Sequence, residues 1–196
     1  EMCIRDSSYS HAGFIGGVLA GLTTKTNKVA MVTGEFYDTH RMMEASFYKG
    51  VAYVNPDIET TAITTGDWAD TVKAREACLA VIAQGYDVLF PCLDAAGAGV
   101  AAAAQDSGNV KVVGAVADYA RDYGAEDVTA GSVVFAWDEL GYLETKGELC
   151  DGRSHVLGMK ENGIRPVINI ELTSEQQAVY DAAVADLLAD KIDIAD

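Results

Sequence analysis

The chain has 196 residues, enough for one large domain or for one domain with pieces of another. Hydrophobic residues make up 49% of it, so it can bury a real core and is not disordered by composition. Thirty acidic residues against 14 basic ones leave a net charge of −16, which argues against a phosphate backbone or an anionic lipid surface as partner, since both need a basic face.

The first seven residues, EMCIRDS, match no element type and read as a non-native leader or a truncated end. Tyr9 to Thr24 reads as a helix in which Gly13, Gly16, Gly17 and Gly21 permit close packing, each at a propensity cost of about 1 kcal/mol. Its apolar run from Ala12 to Leu22 is too short and too glycine-rich to cross a bilayer. From Lys28 the pattern alternates. KVAMVTG (28–34) is a buried parallel strand, residues 38–53 form an amphipathic helix, and Asn55 before Pro56 stops it. The β-branched IETTAITT (58–65) is the next strand. Residues 70–85 are a helix closed by Gly85, YDVLFPC (86–92) is a third strand, and a helix runs from about Gly97 to Gln105. VKVVGAV (110–116) is a fourth strand, and a short fifth lies within 127–135. The tail holds a helix at 136–149, an extended segment at 154–172 that need not belong to the sheet, and a helix at 174–191 with Ser174 as its N-cap. Strands alternating with helices predict the α/β class, an open parallel sheet with helices on both faces.

No catalytic constellation emerges. His11, His40 and His155 fall in three different elements, and Cys3, Cys78, Cys92 and Cys150 lack metal-ligand spacing, so neither catalytic residues nor a metal site are assigned. Cys78 and Cys92 read as buried thiols, one disulfide remains open, and the redox compartment with it. Within DVLFPCLDAAGAGVAAAA (87–104), Gly97-Ala98-Gly99-Val100-Ala101-Ala102 spells GxGxxA, with Asp118 19 residues beyond Gly99, close to the dinucleotide fingerprint. Three features count against it. Leu93 to Ala96 separate the glycines from the strand, Asp94 would face the phosphates, and the motif follows the third strand rather than opening the first unit.

Ligands of open parallel sheets bind beyond the carboxyl ends of the strands. That rim holds Glu35 and Phe36 after Gly34, Trp68 after Gly66-Asp67, the loop from Asp94 through Gly97 and Gly99, and Asp118. Aromatics there could stack on a ligand, carboxylates could take hydroxyl or amine groups, and glycines would let it reach backbone N–H groups. Trp68 reads equally as a loop anchor or a ligand contact, and Asp94 as a helix N-cap or a ligand group, roles that are compatible.

The segments AGFIGGVLAGLTTKTNKVAMVTG, GVAYVNPDI, GDWADTVKAREACLAVIAQGYDV, AGAGVAAAAQ, VKVVGAV and HVLGMKENGI together resemble the basic membrane protein family of ABC-transporter substrate-binding lipoproteins, which includes purine-nucleoside receptors. The resemblance runs from about Ala12 to near the end. It implies the type I periplasmic-binding fold, two α/β lobes joined by hinge strands with a small organic solute in the cleft between them. Residues 28–135 would be the second lobe, 1–27 a leader plus a connecting helix from the first lobe, and 136–196 a hinge or return segment with a C-terminal helix. Most of the first lobe, with a signal peptide and a lipidated cysteine as the sole membrane attachment, would lie upstream, so this half cleft alone would bind weakly.

The resemblance also implies an extracytoplasmic, membrane-associated protein that delivers solute to an ABC permease and its ATPase subunits, with no cofactor and no chemistry. Three departures bear on the ligand. Asp94 to Gly99 replaces a GGxGxG loop, Gly114 to Tyr119 replaces a GVDxDQ-like segment with Val116 at its first acid, and Phe135 aligns with an expected lysine. They suggest a solute with different polar groups from a standard purine nucleoside, basic or nucleoside-like. The alternatives are a Rossmann-type NAD enzyme fragment and the effector-binding domain of a transcription regulator.

Overall fold

A computed structural model describes residues 4–148 and 154–194. In chain order they form β1 (Ile4–Ser7), α1 (Tyr9–Thr23), β2 (Lys28–Thr33), α2 (Asp38–Val54), β3 (Glu59–Thr64), α3 (Thr71–Ile82), β4 (Val88–Cys92) and α4 (Gly97–Ser107). There follow β5 (Lys111–Val116), α5 (Tyr119–Tyr123), β6 (Thr129–Phe135), α6 (Trp137–Thr145), β7 (Ser154–Leu157), β8 (Ile164–Ile168) and α7 (Ser174–Leu188).

The main sheet has the order β3-β2-β4-β5-β6-β8, parallel except for β8, which runs antiparallel to β6. Alternation along each strand divides the core in two. Val29 and Met31 of β2 and Val88, Phe90 and Cys92 of β4 face α1, α2 and α7. Ala30, Val32 and Leu89 face α3, α4 and the residues around α5. Helices thus cover both faces, as the alternating pattern predicts.

Two parts of the chain differ from the sequence reading. Ile4–Ser7, where no element is expected, pairs in parallel with Ser154–Leu157, as a two-stranded sheet apart from the main one. Ile164–Ile168, within the extended tail segment, becomes the edge strand of the main sheet, and Pro166 is tolerated because an edge strand need not donate on both sides. With α1 and α7 packed in the core, the folded unit extends past residues 28–135 at both ends. The last helix is capped by Thr173 rather than Ser174. The Thr173 hydroxyl accepts from the Gln176 amide while the Gln176 side chain accepts from the Thr173 amide, a capping box. The leader's first three residues, the predicted end of the 136–149 helix, Cys3 and Cys150 lie outside the described residues. Cys78 and Cys92 are unpaired and buried, and burial pushes each thiol up to about 12.

The strand order reverses between β2 and β4: β3 lies on one side of β2, and every later strand of the sheet on the other. In doubly wound sheets such a reversal splays the following loops apart and opens a crevice at the carboxyl ends of the two strands.

Candidate functional site

A cavity of about 280 Å³ opens at that reversal, lined by Tyr9, Tyr37, His40, Trp68, Cys92, Leu93, Asp94, Val116 and Trp137. Cys92 ends β4, Leu93 and Asp94 follow it in the loop, and Val116 ends β5. Tyr37 and His40 flank the start of α2, Trp68 lies in the β3–α3 loop, and Tyr9 and Trp137 open α1 and α6. The volume lies near the lower end of small-molecule sites, which span about 300–1,000 Å³.

The aromatic wall is built on backbone economy at Gly34. A Cβ there would run into the Trp68 indole, so the glycine lets that ring lie against the end of β2. Tyr37 stacks on Trp68 with centroids 5.9 Å apart and planes 15° from parallel, and the His40 ring sits 4.7 Å from Trp68. Tyr9 meets His40 edge-on at 5.4 Å and Phe135 at 5.1 Å, and Phe135 in turn supports Trp137 at 5.8 Å. Tyr37 and Trp137 are about half exposed, 55% and 51%, and so offer ring surface to a ligand. The Ala96 amide donates to the Trp68 carbonyl at 3.0 Å, tying the β3–α3 loop to the loop after β4.

Val116 forms the turn at the end of β5. Its φ is 72°, and the Ala117 amide donates to the Ala115 carbonyl at 2.9 Å across it, a γ-turn. A β-branched residue held there costs about 1–3 kcal/mol, which the flanking sheet absorbs.

Of the sequence-derived candidates, the structure brings Trp68 and Asp94 into the cavity lining. Asp94 is not the helix N-cap, because Ala96 holds that position before α4 and no side chain caps the helix. Only the Asp94 backbone carbonyl is engaged, by the Gly97 amide at 3.0 Å and the Tyr123 hydroxyl at 2.9 Å. Its carboxylate has no hydrogen-bond or ion-pair partner among the described residues.

The remaining candidates stand beside or behind the cavity. The Glu35 carboxylate accepts from the Tyr37 hydroxyl at 3.2 Å, and Phe36 lies under the Arg41 guanidinium at 5.2 Å. Asp118 caps α5 by accepting from the Arg121 amide. Phe135 is 2% exposed and backs Tyr9 and Trp137 from within the core. Gly97 and Gly99 do not face the cavity. A Cβ on Gly97 would meet the Tyr119 and Tyr123 hydroxyls at 2.5 and 2.8 Å, and one on Gly99 would strike the Thr71 carbonyl of α3. The two glycines of the GxGxxA run therefore serve close packing against α3 and the α5 tyrosines. Tyr9, Tyr37, His40 and Trp137 were not found from sequence, although Trp137 and Tyr37 each follow a strand end by a few residues. Among the described residues, no cluster of three or more His, Cys, Asp or Glu side chains could hold a metal.

Burial lowers the His40 imidazole below its ordinary 6.5, against a smaller upward pull from Asp94. The unfolded chain therefore takes up a proton on this group at a higher pH than the folded one. Its contribution to stability is complete above 6.5 and is lost as pH falls through the lowered folded value. Carboxylates held low, such as Glu59 and Asp67, lose theirs only below about 4.5. Thermal melting from about pH 7.5 to about pH 5 should show a falling midpoint that flattens in His40→Phe. Equal slopes in the two proteins would remove His40 as the cause.

The family model for PnrA-like ABC transporter substrate-binding proteins matches residues 8–195. Basic membrane protein D of Borreliella burgdorferi is 27% identical over 176 residues, 87% of this chain and 51% of that protein. The ABC transporter nucleoside-binding protein BmpA of Lactococcus lactis is 29% identical over 91 residues, 46% of this chain and 26% of that one. The chain thus spans about half the length of the first relative and less of the second. A transcriptional activator of the comK gene from Bacillus halodurans superposes with a TM-score of 0.78 at 22% identity, over 97% of this chain and 66% of that one. An ABC transporter solute-binding protein from Conexibacter woesei gives 0.74 at 21%, over 97% and 64%. At such identities these likenesses carry the fold alone, and the family match carries more. The chain belongs to the Bmp family of PnrA-like ABC transporter substrate-binding proteins, which bind their substrates rather than transform them.

Proposed function

We propose that the chain forms one lobe of a solute receptor for an ABC importer and holds a small organic solute in the cavity at the sheet reversal. The observation that carries this reading is the half-open aromatic cavity itself, placed where doubly wound sheets receive ligands, in a member of a substrate-binding family. The solute stacks on Tyr37, Trp68 and Trp137, and Asp94 orients it. A second lobe, joined through the two-stranded β1–β7 sheet, closes over the exposed ring faces, and the closed form engages the permease. The protein works outside the cytoplasm, and no helix among the described residues is long and apolar enough to cross a membrane.

The chain has two tryptophans, Trp68 and Trp137, and both line the cavity. Intrinsic fluorescence therefore reports on the site without a label. Titration with nucleosides, amines and sugars should give a saturable change with at least one class and none with NAD. Trp137→Ala should weaken that binding roughly tenfold or more, the usual scale for a lost stacking contact. Its melting temperature should move little, since the ring is half exposed. Saturation by NAD alone would overturn the transport reading, and unchanged affinity in Trp137→Ala would remove the cavity as the site.

A further inference from the structure

We infer that the solute carries an alkylated ammonium group, held over the aromatic wall and paired with Asp94; this rests on the solute-binding reading above. The charge inventory of the cavity comes first. Its lining holds four rings of the Tyr and Trp type, one histidine and a single carboxylate, with no lysine or arginine. Several basic side chains close to lining residues in sequence are committed elsewhere: Arg41 lies over Phe36, Lys73 pairs with Asp70 at 3.6 Å, Lys111 donates to the Asp127 carbonyl at 2.8 Å, and Arg121 pairs with Asp122 at 2.7 Å. His40 is not a substitute cation, because its burial favours the neutral ring.

The Asp94 carboxylate thus lines the cavity with no partner among the described residues. In the open lobe water solvates it. Closure over a solute strips that water, and an uncompensated carboxylate is costly to bury. A neutral solute offers hydroxyl donors but leaves the charge in place. A cationic one cancels it and also gains from the ring faces, whose quadrupoles attract alkylated ammonium groups within about 6 Å of a centroid. Tyr37 and Trp137 are each about half exposed, so ring surface stays open to such a group. An aromatic wall alone suits a nucleobase as well as a cation. The lone, unpaired carboxylate with no cation in the lining decides between them.

The test compares choline with 3,3-dimethyl-1-butanol, its neutral isostere, and with guanosine, by tryptophan fluorescence and calorimetry on this chain. Choline should bind at least about tenfold more tightly than the isostere, and Asp94→Asn should erase that preference. A circular-dichroism melt close to that of the parent separates lost binding from lost folding in the variant. Equal affinity for choline and its isostere, or a preference that survives Asp94→Asn, overturns the inference. Guanosine binding without choline binding overturns it too, yet leaves the solute-binding reading standing. No saturable response to any solute up to about 10 mM, a range that covers the weak binding of a single lobe, overturns both.

Discussion

Gly17→Ala is expected to destabilise the fold by about 2–3 kcal/mol, although alanine is the better helix former. Gly13 and Gly17 of α1 meet α2 where Gly50 returns the approach, so the two helices touch backbone to backbone. A Cβ on Gly13 would strike the Met43 carbonyl, one on Gly17 the Phe47 carbonyl, and one on Gly50 the Phe14 carbonyl, each far inside 3.0 Å. Backbone cannot rotate away as a flexible side chain can, so the helices must separate. Separation would loosen Phe14, Val18, Phe47 and Val51, all buried between the helices and the sheet. Gly50→Ala should behave the same way. The control is Gly141→Ala in α6, where a Cβ meets nothing within 4 Å and propensity alone should add about 0.5–1 kcal/mol. Urea unfolding at constant slope measures both. Midpoints moving in the same direction would contradict the close crossing.

Close packing of α1 was legible in the sequence, because glycines inside a helical pattern cost propensity and so signal a packing demand, but its partner α2 was not. The strands β2 to β6 were equally legible, each being an apolar or β-branched run bounded by turn residues. What escaped was set by partners remote in the chain. Ile4–Ser7 is too short to show a period and becomes a strand only through Ser154–Leu157. Ile164–Ile168 contains Pro166, which hides a strand until the sheet edge is known.

The site follows the same rule. Trp68 and Asp94 stand close after strand ends, where the chain direction alone places them at the rim. Tyr9 comes from the first turn of α1, and its place beside His40 depends on how α1 crosses the sheet, which no local pattern encodes. Gly97 and Gly99 misled because small residues after a strand serve two demands alike, approach by a ligand and approach by a neighbouring helix. Only the positions of Thr71, Tyr119 and Tyr123 decide between them.

Asp87→Ala should cost about 3–4 kcal/mol while leaving solute affinity unchanged under native conditions. Asp87 is 7% exposed, and its carboxylate gathers the turn between α1 and β2. One oxygen accepts from the Thr24 hydroxyl at 2.5 Å, and the other from the Lys25 and Thr26 amides at 2.7 and 3.1 Å. Bonds to an ionised acceptor contribute about 1.5–3 kcal/mol each, and because Lys25 and Thr26 are exposed, water takes over part of what their amides lose in the alanine variant. Asp87→Asn can keep its oxygen on the two amides and turn its NH2 toward the Thr24 oxygen, so its cost should be nearer 1 kcal/mol. Asp87 precedes β4, whereas Cys92 at the other end of that strand lines the cavity. Five residues of strand put about 16 Å between the two. Loss of the clamp therefore lowers the free energy of the whole fold without reaching the rings that hold the solute. If Asp87→Ala weakened binding in the still-folded fraction, the two ends of β4 would be coupled, and the sheet could not be the rigid platform on which the cavity stands.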